Sequence, residues 1–215
     1  MSSYEKYCLV QKTAEEHAVK GGFPASRVHV LAVTKNQDAS AIEELYNCGI
    51  RDFAENRINV LEDKARVLAE DINWHFIGKI QSNKVRRVVK LSKIIHSVDS
   101  PELLERIDRI SGEENAAPRL FIEVNVSGEE SKSGITPDEI EQMLNIPLKH
   151  AVIKGLMTMA PFDSTEEELR EIFSSLYSCA EKYNLPELSM GMSNDYHIAS
   201  ECGATTVRIG TFLFS

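Results

Sequence analysis

Short apolar runs rich in valine, isoleucine and leucine recur along the chain, and between them apolar residues fall at three- and four-residue spacing. The runs cover residues 28–34, 51–56, 73–78, 93–99, 119–126, 152–159, 187–192 and 205–210. Runs of this length, bounded by polar or turn residues, predict strands buried on both faces. The intervening periodicity predicts helices. One covers residues 4–19, with Tyr7, Val10, Ala14 and Ala18 along one face. Asp38 caps a second, carrying Ile42 and Leu45 and stopped by Gly49. Others cover 58–69, 82–91 and 195–202, and two more begin at Pro101 and near Pro137. Ser164 with Glu167 offers a capping box for a long helix bearing Leu169, Ile172, Phe173, Leu176 and Ala180.

Eight strands, nearly all separated by helices, predict an α/β fold with a parallel sheet. A closed (β/α)8 barrel is the first expectation and an open doubly wound sheet the second. No linker or low-complexity segment divides the chain, so residues 1–215 are expected to form a single domain. The chain stops soon after the eighth run. The helix at 4–19 is therefore expected to cover the surface that a final helix would otherwise cover.

Composition narrows the function classes. Apolar residues make up 42% of the 215, as in a globular domain, and the formal net charge is −9. That charge argues against a nucleic-acid surface. The basic stretch "KVRRVVK" at 84–90 reads as the solvated face of one helix. No signal peptide or membrane-spanning run is visible. The four cysteines are scattered without a C-x-x-C pair, which fits a reducing cytoplasm. The six histidines form no ligand pair, so no metal site is expected.

In a (β/α)8 barrel the active site gathers at the C-terminal ends of the strands. Those ends carry Lys35, Glu55, Asn56, His75, Ser97, Asp99, Asn125, Met157, Thr158, Ser193, Arg208, Gly210 and Thr211. Lys35 closes the first apolar run as a candidate amine nucleophile, and an apolar surrounding that favours the neutral amine would help it. Gly191 and Ser193 precede a helix, and Gly210 and Thr211 follow the eighth strand. Barrels frequently hold phosphate at the loops after strands seven and eight. A lysine across the mouth from a phosphate cup suggests pyridoxal phosphate, with an imine on Lys35. A Schiff-base aldolase acting on a sugar phosphate fits the same residues, and the residues alone do not separate the two.

The stretches "AVTK", "AENR", "WHFIGKIQSNK", "HSVDS", "EVNVSGEESKSG", "GLMTMAP", "LSMGMSND" and "VRIGT" occur in order from about residue 28 to 214. In these the chain resembles the YggS/PROSC family of pyridoxal phosphate homeostasis proteins. The resemblance implies a single barrel similar to the cofactor domain of alanine racemase, with pyridoxal phosphate carried on Lys35. It implies that Ser193, Gly210 and Thr211 hold the phosphate, that Arg208 lies near the ring or the phosphate, and that Asn56 and Met157 line the pocket. The family's usual glycine before the Glu-Asn pair is Ala54 here, and its glycine-rich end reads "TFLFS".

The resemblance implies a carrier or buffer of the cofactor, cytoplasmic and monomeric, with apo forms of pyridoxal-phosphate enzymes as partners. An amino-acid racemase is the alternative. Racemisation needs a second acid/base on the opposite face of the substrate, and racemases of this fold take it from a further β-rich domain. His75 is read as a strand histidine satisfied by a neighbour. Lys79, Lys84 and Lys132 are the rivals of Lys35.

Overall fold

The computed structural model describes residues 1–129 and 133–215; Lys132 and the middle of the "EVNVSGEESKSG" motif lie outside the described residues. Eight parallel strands close into a barrel in chain order: β1 (His29–Val33), β2 (Asp52–Glu55), β3 (Asn73–Phe76), β4 (Ile94–Val98), β5 (Arg119–Glu123), β6 (Val152–Met157), β7 (Glu187–Ser189) and β8 (Thr206–Ile209). β8 closes the ring on β1, where His29 pairs with Thr206 and Ala32 with Ile209. The open doubly wound alternative is thereby excluded.

The helices are α1 (Ser3–Lys20), α2 (Ala39–Asn47), α3 (Ile58–Ala65), α4 (Val85–Leu91), α5 (Pro101–Glu114), α6 (Ile140–Leu144), α7 (Glu166–Lys182) and α8 (Tyr196–Glu201). Several boundaries differ from the sequence expectation: β5 ends at Glu123 rather than 126, β6 at Met157 rather than 159, β7 at Ser189 rather than 192, and α4 begins at Val85 rather than 82. α7 is capped by Thr165 with Glu168, one residue later than Ser164 with Glu167. Both pairs have capping-box spacing, and Thr165 is the one that accepts from the Glu168 N–H. α3 ends at Ala65 rather than 69.

The main core lies between the barrel's outer surface and the helices. Val30, Ala32, Phe53, Phe76, Ile95, Leu120, Leu156 and Val207 face outward from the strands and meet Leu45, Leu61, Leu104, Phe173 and Leu176. This is why the strands read as continuous apolar runs: one set of alternate residues packs on helices and the other fills the barrel. Inside, Leu31, Val33 and Ala54 form one small apolar cluster, and Ile94, Phe121 and Met157 another. The remaining interior is polar.

α1 covers the seam between β1 and β8, as expected. Val10, Ala14 and Ala18 are buried in it. The Tyr7 hydroxyl donates to the Val30 carbonyl (3.0 Å), and Gln11 donates to the carbonyl of Val28, just before β1, and accepts from the Val30 N–H. Its C-terminal end rests on α8, where His17 Nδ1 lies 2.7 Å from Glu201 Oε1.

Candidate cofactor site

The loops at the C-terminal ends of the strands surround a cavity of about 650 Å³. Lys35, Asn56, Met157, Ser193, Arg208, Gly210 and Thr211 all line it, together with apolar Val33, Ile77, Met159 and Phe162. Lys35 is the one lysine among the described lining residues. Its position is set by the residue before it. Thr34 is fully buried; its hydroxyl donates to Glu55 Oε1 (2.6 Å) and its carbonyl accepts from Lys64 Nζ (2.8 Å). Lys35 itself is exposed, at the rim of a cavity whose apolar walls are Val33, Ile77, Met159 and Phe162.

Asn56 follows β2, and its Oδ1 is buried with no hydrogen-bond partner. Beneath it Gly78 must remain glycine, because a Cβ there would collide with the Asn56 carbonyl. On the opposite wall Gly191 has φ +91°, and a side chain there would also strike Ala199. That turn delivers Ser193 to the cavity. The Ser193 and Thr211 hydroxyls are engaged by no other described residue. The helix that follows is only six residues long. Its first turn is preceded by buried Asp195, which accepts from the Met192 N–H (2.5 Å). An anion here would therefore rest on hydroxyls and local N–H groups more than on a helix dipole.

Arg208 forms the floor. It is 5% exposed, donating through Nη1 to Ser189 Oγ (2.7 Å) and through Nη2 to the Thr158 carbonyl (2.9 Å). Burial pushes the guanidinium down to about 10, against the attraction of Asp195 and Glu123. Burial, reinforced by Asp99, lifts the Glu123 carboxyl to about 7, although Arg208 and Lys79 pull it back. Burial also raises Asp195, opposed by the Met192 N–H and Arg208.

A family model described as "Alanine racemase, N-terminal domain" matches residues 17–215. The chain is 43% identical to a pyridoxal phosphate homeostasis protein of a Synechocystis species, over 87% of this chain and 90% of that one. It is 35% identical to one of Aquifex aeolicus, over 100% of this chain and 98% of the other. The chain belongs to this family. Among solved structures, PipY of Synechococcus elongatus with pyridoxal phosphate bound superposes with a TM-score of 0.81 at 38% identity, covering 94% of this chain and 100% of PipY.

For a member of this family several polar strand-end residues fall elsewhere than the sequence reading placed them. Glu55 points out of the barrel into an ion pair with Lys64 of α3, at 2.5 Å, with both side chains buried. His75 is not at the mouth. Its ring lies inside the barrel, with Nε2 3.1 Å from Asp52 Oδ1 at the opposite end and Nδ1 2.9 Å from His96 Nε2. Ser97 donates to the Gly78 carbonyl, and Asn125 is bound up in its own loop. The sequence reading missed Asp195, Glu123, Ser189 and His96. The inward phase of β4, β5 and β7 is the signal that could have found the last three. Lys79 and Lys84 lie outside the cavity.

Proposed function

We propose that this protein binds pyridoxal phosphate in the cavity at the barrel mouth, holds it covalently through Lys35, and releases it to enzymes that need it. The observation that carries the reading is the convergence on one 650 Å³ cavity of a single described lysine, two unengaged hydroxyls and an unpartnered amide oxygen. Burying a carbonyl oxygen without a partner is unfavourable by about 1–3 kcal/mol, so the Asn56 Oδ1 is suited to meeting a ligand's donor. The relatives named as homeostasis proteins and the pyridoxal phosphate bound to PipY support the same reading.

When bound, pyridoxal phosphate supplies an aldehyde conjugated to an electron-withdrawing ring. Lys35 Nζ offers the amine for attachment. Ser193 and Thr211 hydroxyls, with the Gly210 backbone, hold the phosphate end. Arg208 is tied to the floor by Ser189 and Thr158 rather than to the Ser193 and Thr211 loops, which suits the ring nitrogen. A guanidinium there donates and cannot accept, so it disfavours a proton on that nitrogen. Asn56 and Met157 line the walls.

The carrier reading is favoured over a racemase by the ionisable groups lining the cavity. Among the described residues these are Lys35, Asp195 and Arg208, with no histidine or tyrosine. Asp195 Oδ1 accepts from the Met192 N–H, which ties that carboxyl to its own loop. A second proton donor opposite the lysine is what racemisation would need. The reading extends to a single-domain, monomeric carrier in the reducing cytoplasm, with apo enzymes rather than nucleic acid as partners. All four cysteines are unpaired, and among the described residues no helix is long and apolar enough to cross a membrane.

The test is spectral titration with pyridoxal phosphate, then borohydride reduction and peptide mapping. The label is expected on Lys35, with visible absorbance lost in Lys35→Ala. Full-stoichiometry labelling in Lys35→Ala would refute the assignment. Loaded protein should restore an apo enzyme's activity. Turnover of an amino acid near the median enzyme rate of ~10 s⁻¹, followed as α-hydrogen exchange in deuterated water, would overturn the carrier reading.

A further inference from the structure

Below the cavity a file of polar side chains descends the barrel interior from Arg208 to the opposite end. Arg208 Nη1 donates to Ser189 Oγ at 2.7 Å. Ser189 Oγ lies 2.8 Å from His96 Nδ1, His96 Nε2 lies 2.9 Å from His75 Nδ1, and His75 Nε2 lies 3.1 Å from Asp52 Oδ1. His96 is fully buried and stacks on Phe121, 4.5 Å between centroids and 8° from parallel. The Asp52 side chain, on the first residue of β2, is half exposed. The five residues come from β8, β7, β4, β3 and β2, so no local sequence feature groups them.

The chemistry of the two ends dictates the proton positions between them. Guanidinium only donates, and an ionised carboxylate only accepts. Ser189, having accepted from Arg208, has its own hydrogen left for His96 Nδ1. That nitrogen is then an acceptor, so neutral His96 carries its hydrogen on Nε2 and gives it to His75 Nδ1. His75 in turn carries its hydrogen on Nε2 and gives it to Asp52. Every link is satisfied with both rings neutral, and all donors point from the cavity toward the far end.

We propose that Asp52, His75, His96 and Ser189 form a one-way hydrogen-bond chain along the barrel axis that positions Arg208 at the cavity floor. Protonating His75 would put a hydrogen on Nδ1, facing the Nε2 hydrogen of His96. His96 would have to change tautomer and donate to Ser189, leaving the serine hydrogen without its acceptor. The surroundings oppose that event. Burial is the largest influence lowering both rings, and His29 of β1, Arg119 of β5, and Arg208 add positive charge. Asp52 pulls His75 the other way, Arg119 is paired with Glu187 of β7, and Glu123 and Asp195 lie toward Arg208 at the cavity end. The chain's direction stands on these contacts alone. Its effect on a ligand rests on the cofactor reading of the cavity.

The test begins without cofactor, by nitrogen NMR of histidine-labelled protein. His75 and His96 are expected as neutral Nε2–H tautomers that do not titrate between about pH 5 and 8. An Nδ1–H tautomer or a doubly protonated ring at neutral pH would overturn the proposal. With pyridoxal phosphate loaded, Ser189→Ala should displace the pH profile of the visible band and speed cofactor release roughly tenfold or more. Asp52→Leu should move the His75 resonance and the same profile from the opposite end of the barrel, whereas Asp52→Asn, which keeps an acceptor oxygen, should stay near the parent. Leu31→Val, an interior truncation away from the chain, controls for loosened packing and should leave the profile unchanged. Profiles of Ser189→Ala and Asp52→Leu identical to the parent would refute the positioning role. Failure to load cofactor at all would instead refute the function proposed above, and the tautomers would still decide the chain.

Discussion

Lys64→Met should be among the more damaging single changes in this protein, although it deletes nothing from the cavity wall. Lys64 Nζ lies 2.5 Å from Glu55 Oε1 and 2.8 Å from the Thr34 carbonyl, and the two charged side chains are 7% and 1% exposed. Methionine fills nearly the same volume, so the change is chiefly electrostatic. It leaves a carboxylate in a site where one of its oxygens, Oε2, already has no partner. Removing one member of a buried pair typically destabilises by about 3–5 kcal/mol, because the remaining charge is uncompensated. With a urea slope of ~3 kcal/mol/M, the midpoint should fall by about 1–2 M. The double variant Lys64→Met/Glu55→Leu removes both charges and should recover most of the loss. Thr34 keeps the Ala54 carbonyl as an acceptor at 3.2 Å in that background. Urea unfolding of parent, single and double variants is the assay. A single-variant loss below about 1 kcal/mol, or a double variant no better than the single, would refute the reasoning. Because Thr34 precedes Lys35, cofactor retention should fall in step with stability in the single variant.

Asp108→Ala should destabilise by about 2–4 kcal/mol, since its carboxylate accepts from the backbone N–H groups of Lys149, His150 and Ala151 that lead into β6. Urea unfolding measures it. Burial opposes ionisation of Asp108 but those backbone bonds prevail and hold it below the usual carboxylate range. Its contribution is therefore present above about pH 4 and fades as the pH falls through its lowered value. Glu123 gives the opposite sign. With a folded value of about 7 against an ordinary one near 4.5, the unfolded chain releases its proton first, so stability falls as pH rises from about 4.5 to 7. Glu123→Gln should raise the apo-protein's stability at pH 8 by about 1–3 kcal/mol and have little effect at pH 4, as judged from thermal melts. Pyridoxal without its phosphate should bind far more weakly than the phosphorylated form, and Ser193→Ala should weaken the latter by about 10- to 100-fold in a spectral titration.

The barrel was legible because parallel strands buried on both sides leave uninterrupted apolar runs. The end of each run pointed to its loop residue, so Lys35, Asn56, Ser193, Gly210 and Thr211 could be placed at one mouth from local signals. Which way a strand residue points is a matter of phase, and phase was not read. Thr34 and Glu55 face outward toward α3, while Lys35 and Asn56, one position on, face the cavity. The chain from Arg208 to Asp52 draws on five strands, and its partners are defined only by closure and register. The start of α7 was ambiguous for a simpler reason: Ser164 and Thr165 are adjacent, each with a glutamate three residues on.

The seam between β1 and β8 has a consequence for synthesis on the ribosome. β1 emerges well before β8, its neighbour across the seam, and Ala32 meets Ile209 only once β8 has been made. Until then β1 presents an unpaired edge, which α1 can shield but not satisfy with a strand partner. The cavity straddles that seam, with Lys35 following one strand and Gly210 and Thr211 following the other. On the proposed assignment, a nascent chain therefore holds the amine long before it holds the phosphate cup. Under that assignment, cofactor capture waits for the barrel to close.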